Sequence, residues 1–390
     1  MTTDPERPFG PQTILTHGGR HPERDLGFVN TPVYRGSTVL FQTLDALEHP
    51  QSYDYGRIGN PSSDAVEQLV SALEGAADTV LCPSGLSAIT LALMAVLDAG
   101  DEVLVSDSAY GPTRRFADNV LRRMGIKVRY YDPRAGRDIK ALFSAETKAV
   151  FVESPGSLTF EVQDLPAIAE IAHLHNAVVI VDNSWATPLY YKPLALGADI
   201  VVHAGTKMFV GHSDVMFGTV SAHAGWAKAL RHTHVQLGLC ASPDDCYLAA
   251  RGMRTLALRM KEHSARSTAI AAWLETQPGV AKVIHPALPS HPDHAIWQRD
   301  FTGAGSVFSI VLEPKPRAAL AAMVDGFKLF GMGASWGGYE SLALPSHPEK
   351  IRTATSWTEP GPLVRFHIGF EDPEDLRADL AAGLARYLAA

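Results

Sequence analysis

Two polar side chains lie at or just beyond the ends of apolar runs that are typical of buried strands. The run AVVIVD ends at Asp182, and the run DIVVH leads into AGTK, which ends at Lys207. In open α/β sheets, ligands bind outside the carboxyl ends of the strands, so both residues are candidates for a site. A lysine after a strand is also an ordinary surface residue of a loop, and its position alone does not decide between the two.

The turn in CPSGLSAITLAL is a third candidate feature. Ser84, Gly85 and Leu86 fall between an apolar run and a helical pattern, where free backbone N–H groups favour an anion such as phosphate. A serine cap without any ligand is the commoner use of such a turn. A lysine can form a Schiff base, an aspartate can keep a ring nitrogen protonated, and the turn can hold a phosphate. Together these are the requirements of pyridoxal 5′-phosphate (PLP).

The elements that must position these residues alternate in type along the chain. Helical patterns are predicted at 85–97, 113–124 and 165–175. Short β-branched runs between and around them are predicted strands, at 78–82, 101–106, 127–131, 148–153, 177–182 and 199–203. Apolar strands separated by helices predict a mainly parallel sheet that is covered on both faces.

Composition divides the chain into three parts. Residues 1–60 are rich in Gly, Pro and charge, and we expect this N-terminal arm to lie on another surface, its own or a partner's. Residues 61–245 carry the alternating pattern. Residues 246–390 are expected to form a smaller C-terminal α+β domain, entered through a long predicted helix at 244–277 and closed by a helix at 373–388.

Charge and apolar content exclude several classes of protein. The 390 residues include 34 lysines and arginines against 42 aspartates and glutamates, without the basic runs typical of nucleic-acid binding. The longest nearly apolar stretch, 86–97, is too short to span a membrane, and the start lacks a signal-peptide pattern. Cys82, Cys240 and Cys246 are too few for a disulfide-stabilised secreted domain. We therefore expect a cytoplasmic enzyme with neither nucleic-acid nor membrane partners.

Two groups of histidines invite interpretation as metal ligands. His285, His291 and His294 lie in HPALPSHPDH, where the prolines indicate an irregular loop without a cluster of cysteines or carboxylates beside it. His232 and His234 have no better support. The sequence predicts no metal site.

Eight segments between Tyr53 and Leu376 resemble the Cys/Met-metabolism family of PLP enzymes. They are YDYGRIGNPS, CPSGLSAI, DSAYGPTRRF, VESPGSLTFEVQDLP, VDNSWATP, HAGTKMFVGHSD, SWGGYESL and VRFHIGFEDPEDL. SWGGYESL and ESPGSLTFEVQD are similar to the β-lyase branch of that family. The resemblance implies the PLP-dependent transferase type I (aspartate-aminotransferase-like) fold, with a mainly parallel seven-stranded sheet domain and a smaller C-terminal α+β domain.

The resemblance also implies roles for the residues around the cofactor ring. Lys207 would hold PLP covalently and act as the catalytic base, and Asp182 would pair with the pyridine nitrogen. Tyr110, in DSAYGP, would stack on the ring and assist proton transfer.

A second set of residues is implied at the PLP phosphate. Gly85 and Leu86 would donate backbone N–H groups, and Thr206 would donate its hydroxyl. Tyr55 and Arg57 would reach the phosphate from the neighbouring subunit, which requires at least a homodimer. The family expectation is a homotetramer built from two such dimers.

A third set of residues is implied at the substrate. Arg365, which follows the short run PLV, would bind the substrate α-carboxylate as a bidentate fork, whereas its position alone equally suits a surface arginine at a strand edge. Ser335 and Trp336 would line the pocket. Arg114 and Arg115 are most simply helix-surface residues, but one of them is a candidate contact for a distal substrate carboxylate.

The chain departs from the family pattern beside the lysine, and the implied reaction leaves alternatives open. Ala204 stands where serine is frequent, which removes one phosphate hydroxyl, and Met208 stands where tyrosine is common. The implied activity is β-elimination of the amino acid L-cystathionine to L-homocysteine, pyruvate and ammonia. A cystine or cysteine C–S lyase and a γ-lyase use the same groups, and a regulatory or binding protein of the same fold is a further alternative.

Overall fold

The computed structural model describes residues 9–49 and 53–390. Within the predicted N-terminal arm, residues 1–8 and 50–52 lie outside the described residues. No helix of the described ranges combines the length and apolarity that a bilayer crossing demands.

A seven-stranded sheet forms the centre of the larger part of the protein. Its strands are β1 (Asp78–Cys82), β2 (Glu102–Ser106), β3 (Lys127–Tyr131), β4 (Thr147–Glu153), β5 (Val178–Asp182), β6 (Ile200–His203) and β7 (Gly218–Ala222). The spatial order is β1-β7-β6-β5-β4-β2-β3, and only β7 runs antiparallel to its neighbours. The predicted mainly parallel sheet is confirmed.

A smaller antiparallel sheet of four strands lies in the C-terminal part. Its strands are β8 (Val280–Ile284), β9 (Val307–Leu312), β10 (Leu342–Ser346) and β11 (Leu363–His367). The order is β10-β11-β9-β8, so that β11 is an interior strand paired on both sides. The type I fold expected from the resemblance, with its second α+β part, is therefore confirmed.

Helices cover the sheets and connect their strands. They are α1 (Pro11–His17), α2 (Leu44–Glu48), α3 (Pro61–Glu74), α4 (Gly85–Met94), α5 (Gly111–Phe116), α6 (Leu165–Leu174), α7 (Thr187–Tyr190), α8 (Ala224–Gln236), α9 (Pro243–Met253), α10 (Leu256–Leu274), α11 (His294–Asp300), α12 (Arg317–Val324) and α13 (Pro373–Ala389). Two buried clusters of aliphatic and aromatic side chains lie on opposite faces of the large sheet and anchor it.

Two predicted helices are less regular in the structure than expected, and at one of them a long-range contact lies at the break. The helix expected at 113–124 is α5 followed by a π-helical turn, Ala117–Leu121, and a 3₁₀ turn. The helix expected at 244–277 is broken into α9 and α10, and Arg254 at the break donates hydrogen bonds to the carbonyls of Leu15 and Gly18 in the N-terminal region.

Candidate active site

Ser335 joins the two cationic side chains at the centre of the site. The Lys207 ammonium donates a 2.5 Å hydrogen bond to the Ser335 hydroxyl, and the Arg365 guanidinium donates a 3.0 Å hydrogen bond to the Ser335 carbonyl. Ser335 has a φ of +93°, a conformation that L-residues rarely adopt and that costs free energy. The loop therefore holds a strained residue where it brings a lysine from the large sheet and an arginine from the small one together.

The surroundings of Lys207 lower the pKa of its side-chain amine. Burial and, to a smaller extent, the nearby Arg365 charge lower the pKa of Lys207 to about 8, against the opposing effect of the Asp182 charge. A lysine with this pKa has a substantial neutral fraction near physiological pH. Lys207 is thus suited to accept a proton.

Arg365 is a buried cation on the interior strand β11. Only 9% of its surface is exposed, and among the described residues no carboxylate lies within ion-pair distance of it. Burial lowers its pKa to about 10, a shift that the nearby Tyr110 opposes. The expected alternative of a surface arginine at a strand edge is excluded, because the side chain is enclosed and prepared for an anion.

Asp182 and Glu153 end neighbouring strands in register. Glu153 of β4 pairs with Asp182 of β5, so their side chains point to the same side at the carboxyl edge of the sheet. Burial raises the pKa of both, and the Asp182 charge raises that of Glu153 further; hydrogen bonds from Ser184 oppose the shift at Asp182. Glu153 was not among the predicted site residues, although it ends a predicted strand just as Asp182 does.

Tyr110 is tied to this carboxyl pair through its backbone. Its N–H donates a 2.7 Å hydrogen bond to the Glu153 carboxyl group, at the point where α5 begins. The ring is 44% exposed, and burial together with Glu153 raises its pKa. The charges of Arg365 and Asp182 also influence this pKa, so both lie within electrostatic range of the Tyr110 hydroxyl.

The predicted phosphate turn begins α4 as expected. Ser84 caps the helix, and its hydroxyl accepts the Ser87 N–H in a capping box. In the described part of the chain, the N–H groups of Gly85 and Leu86 have no hydrogen-bond acceptor. A Cβ placed on Gly85 would lie only 2.5 Å from the Ala204 Cβ, so the turn packs directly against the segment that carries Lys207.

Thr206 and Met208 flank the lysine and are engaged within the protein. The Thr206 hydroxyl donates to the Phe217 carbonyl and accepts the Phe217 N–H at 2.7 Å, so its proton would have to turn away from that carbonyl to reach a phosphate. The Met208 side chain is buried in a core cluster, where it replaces the expected tyrosine without exposing apolar surface.

Tyr55 and Arg57 lie together but in another environment. The Arg57 guanidinium is 5.6 Å from the centre of the Tyr55 ring and donates a hydrogen bond to the Val235 carbonyl at the end of α8. No described contact joins either residue to Lys207 of the same chain. Their proposed role at the phosphate of a neighbouring subunit stays a prediction.

The loop after Ser335 packs on Lys207 and is hydrogen-bonded to His367. The Trp336 ring centre lies 5.5 Å from the Lys207 ammonium. A Cβ on Gly337, whose φ is +90°, would lie 2.9 Å from the Lys207 carbonyl carbon. His367, two residues beyond Arg365 on β11, accepts the Gly337 N–H at 3.3 Å. His367 was not among the predicted site residues, because no local pattern in the sequence links it to this loop.

The two arginines after Tyr110 have different surroundings. Arg114 is buried, forms a 2.8 Å ion pair with Asp107, and stacks on Tyr130 with its guanidinium 3.6 Å from the ring centre. Arg115 is exposed. The hypothesis of a distal substrate contact therefore concerns Arg115 and not Arg114, whose donors are used inside the protein.

The histidines that resembled metal ligands serve as ordinary hydrogen-bonding residues. His285 is fully buried near the Ser267 hydroxyl, His294 bonds the Pro286 carbonyl, and His234 bonds the Leu81 carbonyl. In residues 9–49 and 53–390, no group of three His, Cys, Asp or Glu side chains is arranged to hold a metal ion.

Three unmet requirements at this site fit the parts of PLP. Asp182 is a buried carboxyl group with no cationic partner at ion-pair distance in the described structure, as a partner of a protonated ring nitrogen would be. The N–H groups of Gly85 and Leu86 await an anion, and Lys207 is an amine prepared for carbonyl chemistry. The donor set therefore fits the cofactor.

Comparison with known proteins places these features in context. The profile of the Cys/Met metabolism PLP-dependent enzyme family matches residues 12–385. A protein of Rhizobium johnstonii that carries the provisional name cystathionine β-lyase is 49% identical, over 96% of both chains. The cystathionine β-lyase of Salmonella typhimurium is 41% identical, over 96% of this chain and 98% of its own.

Other similar proteins differ in their named reactions. An L-alanine/L-glutamate racemase of Wolbachia pipientis is 40% identical, over 96% of this chain and 97% of its own. The crystal structure of cystathionine γ-lyase from Lactobacillus plantarum, complexed with L-serine, superposes with a TM-score of 0.91 at 31% identity and covers 97% of this chain and all of its own.

Proposed function

Because the chain belongs to the Cys/Met metabolism PLP-dependent enzyme family, we propose that it catalyses the β-elimination of L-cystathionine. The reaction consumes water and gives L-homocysteine, pyruvate and ammonia. Enzymes named for this reaction match nearly the whole chain, at 49% and 41% identity. PLP is the cofactor of the family and of this carbon–sulfur lyase.

The link between Lys207 and Arg365 through Ser335 is the observation that carries the proposal. In an α-amino acid the carboxylate is bonded directly to Cα. A carboxylate bound by the Arg365 guanidinium therefore places Cα next to that link, within reach of the Lys207 amine. The site is arranged to remove the Cα proton from an amino acid held by its carboxylate.

Lys207 carries out the proton transfers of the proposed reaction. Neutral Lys207 takes the Cα proton, and the resulting ammonium returns a proton to the departing sulfur, so one side chain acts as base and then as acid. The centre of the Trp336 ring lies 5.5 Å from the amine and Gly337 packs on the Lys207 backbone, which limits the contact of this residue with water. Its lowered pKa makes the first transfer possible near neutral pH.

We propose that eight residues hold the cofactor: Lys207, Asp182, Tyr110, Gly85, Leu86, Thr206 and, from a neighbouring subunit, Tyr55 and Arg57. When bound, PLP supplies the electron sink that stabilises negative charge at the substrate Cα. Asp182 supports this by holding a positive charge at the ring nitrogen. The assembly that this arrangement requires is a homo-oligomer of at least two chains, with a homotetramer and a cytoplasmic location as further parts of the proposal.

We assign the distal carboxylate of the substrate to Arg115. Its side chain is exposed five residues beyond Tyr110, whereas the Arg114 side chain is bound to Asp107. Replacing Arg115 by alanine should raise the KM for L-cystathionine severalfold without lowering the melting temperature. An unchanged KM in that variant would remove Arg115 from the substrate site.

The decisive experiment measures absorbance and product together. The purified protein should be yellow with PLP, lose that band in Lys207→Ala, and release pyruvate from L-cystathionine. Rates on cystine, cysteine and methionine test the alternative C–S lyase reactions. Polarimetry with L-alanine and L-glutamate measures racemisation. Pyruvate release that is fastest from L-cystathionine supports the proposal. Faster γ-elimination or racemisation, or a protein that takes up no PLP, would overturn it.

A further inference from the structure

A long connection between β10 and β11 crosses from the small sheet to the large one. This strap, residues 347–362, contains a single short 3₁₀ turn and joins two strands that lie side by side. Neighbouring antiparallel strands need only a few residues to connect them, and longer connections usually have a function. The strap leads directly into Leu363, the first residue of β11, two residues before Arg365.

The Asp107 carboxylate is the anchor of the strap on the large sheet. One oxygen accepts the Thr353 N–H at 2.9 Å, and the other accepts the N–H of Ala354 at 3.1 Å and both the N–H and the hydroxyl of Thr355 at 2.7 Å. Arg114 adds an ion pair of 2.8 Å on the first oxygen. Burial pushes the pKa of Asp107 upward, but the hydrogen bonds from the strap outweigh it and hold the pKa below its ordinary value.

A second buried contact confirms that the strap is fixed and not merely adjacent. Arg352, at the beginning of the anchored segment, forms an ion pair with Glu161 and donates a 2.5 Å hydrogen bond to the Thr159 hydroxyl. The side chains of Arg352 and Glu161 are 8% and 3% exposed. Both residues of the large part, Glu161 and Asp107, follow strands whose carboxyl ends form the edge at which the site lies.

Asp107 is close in sequence to one wall of the site, and the strap is close in sequence to the other. Asp107 follows β2 directly, three residues before Tyr110, and its ion-pair partner Arg114 donates its backbone N–H to the Tyr110 carbonyl. The strap leads into the strand that holds Arg365. The anchor thus connects the segment beyond β2 that carries Tyr110 with β11, which carries Arg365, and the charge of Arg365 acts on the Tyr110 hydroxyl.

We propose that Asp107 is a positioning residue for substrate binding: by tying the strap to the end of β2, its carboxylate fixes the separation between Tyr110 and Arg365. It touches neither cofactor nor substrate and acts through the strap and α5. The inference rests on the proposed function in so far as Arg365 is the receptor for the substrate carboxylate.

The first test replaces the carboxylate by an amide of the same shape. In Asp107→Asn one oxygen becomes an NH₂ group, which cannot accept the strap's N–H groups. We expect the KM for L-cystathionine, and the Kd for glycine as a carboxylate probe read from the cofactor absorbance, to rise about tenfold, as loss of hydrogen bonds to a charged group predicts. PLP retention and kcat should change little. The matched control is Glu359→Gln, which removes the negative charge from the strap's 2.7 Å ion pair with Lys282 and leaves Asp107 untouched.

A milder variant keeps the proposal testable if Asp107→Asn folds poorly. Thr355→Val removes one hydroxyl donor but keeps the backbone N–H, and it should raise the Kd for glycine about threefold. In the double variant with Asp107→Asn the second substitution should add nothing, because the carboxylate that it served is gone.

Hydrogen exchange of the strap gives a readout that does not depend on any reaction. In the ligand-free holoenzyme, Asp107→Asn should accelerate amide exchange at 353–355, and Glu359→Gln should not. A released strap with an unchanged Kd for glycine would overturn the positioning role, and an unaltered exchange rate would overturn the anchor itself. Failure of wild-type protein to cleave L-cystathionine would instead count against the proposed function, since glycine binding and exchange are measured without turnover.

Discussion

Glu153 and Asp182 stand side by side at the ends of two parallel strands, and the backbone N–H of Tyr110 is bonded to Glu153. Two buried carboxyl groups on adjacent strands do not both ionise easily, because the two negative charges repel each other. Burial and the Asp182 charge both raise the pKa of Glu153 well above its ordinary value, so that Glu153 is the carboxyl group of the pair on which a proton is more stable. Asp182 is then free to carry the negative charge that a protonated ring nitrogen requires.

Glu153→Gln should therefore resemble the wild type, and Glu153→Ala should not. The amide mimics the protonated acid and keeps an oxygen for the Tyr110 N–H, whereas alanine leaves that donor unsatisfied, which we expect to weaken PLP binding about tenfold. PLP affinity and the cofactor absorbance spectrum measure the difference, with melting temperatures as a check on folding. Equal losses in both variants would show that Glu153 works as an anion.

The pKa of Lys207 should depend on Arg365. Since the amine must be neutral to accept a proton, activity should rise with pH and level off above about 8. Removing the Arg365 charge in Arg365→Gln should shift the pKa of Lys207 upward, toward its ordinary value.

The rate at which an amine-acylating reagent modifies Lys207 in the apoprotein, followed against pH by peptide mass spectrometry, measures this pKa without substrate. Arg115→Gln removes an exposed arginine and is the matched control, with no shift expected. A midpoint that stays in place or falls in Arg365→Gln contradicts the assigned electrostatic coupling.

Gly85→Ala should separate the phosphate turn from the lysine segment. The added Cβ would lie 2.5 Å from the Ala204 Cβ and 2.8 Å from its Cα, both closer than atoms can approach, so one segment must move. We expect PLP affinity to fall about tenfold, with a lower melting temperature, because overpacking of this kind costs about 1–3 kcal/mol. Gly36→Ala, where nothing lies within 4 Å of the new atom, should leave both unchanged. Undiminished PLP binding in Gly85→Ala would show that the turn does not hold the phosphate.

Mixed oligomers should reveal whether Arg57 serves a neighbouring site. Arg57→Ala and Lys207→Ala should each have little activity alone. If the two residues belong to one site but to different chains, unfolding and refolding an equal mixture gives some hybrid dimers with one intact site, and up to about a quarter of wild-type activity returns. Two tagged forms of the same variant, mixed in the same way, are the control. No recovery, with hybrids demonstrated by tag capture, would place Arg57 outside the neighbouring site.

The sequence predicts the sheet and the two strand-end residues well because both depend on local patterns. β5 ends at Asp182 in the structure as the apolar run does, and Lys207 follows β6 by the short turn seen in AGTK. Glu153 also ends an apolar run that predicts a strand, so its place at the edge of the sheet could have been predicted in the same way. Arg365 needed the resemblance, since nothing near it in the chain indicates that β11 is an interior strand of a second sheet.

Other features depend on contacts between distant segments and had no local signal. The positive φ of Ser335, the hydrogen bond from Gly337 to His367, and the break before α10 all follow from packing across long separations. The anchor between Asp107 and residues 353–355 is of the same kind. In the sequence, residues 353–355 are typical of an ordinary loop, and only the fold places them at the end of β2.

Four groups of the site lack a partner among the described residues, and this has a thermodynamic consequence for the protein without its ligands. They are the backbone N–H groups of Gly85 and Leu86, which lack an acceptor, and the side chains of Asp182 and Arg365, which lack an ion-pair partner. Asp182 and Arg365 are buried, so their missing partners cost free energy, and partners for all four groups come from a ligand that binds the native state and not the unfolded chain. By mass action, cofactor at a hundred times its dissociation constant adds about 2.7 kcal/mol to the free energy of unfolding. Supply of the cofactor thus sets how much of the newly made protein survives proteolysis as well as how much of it can react.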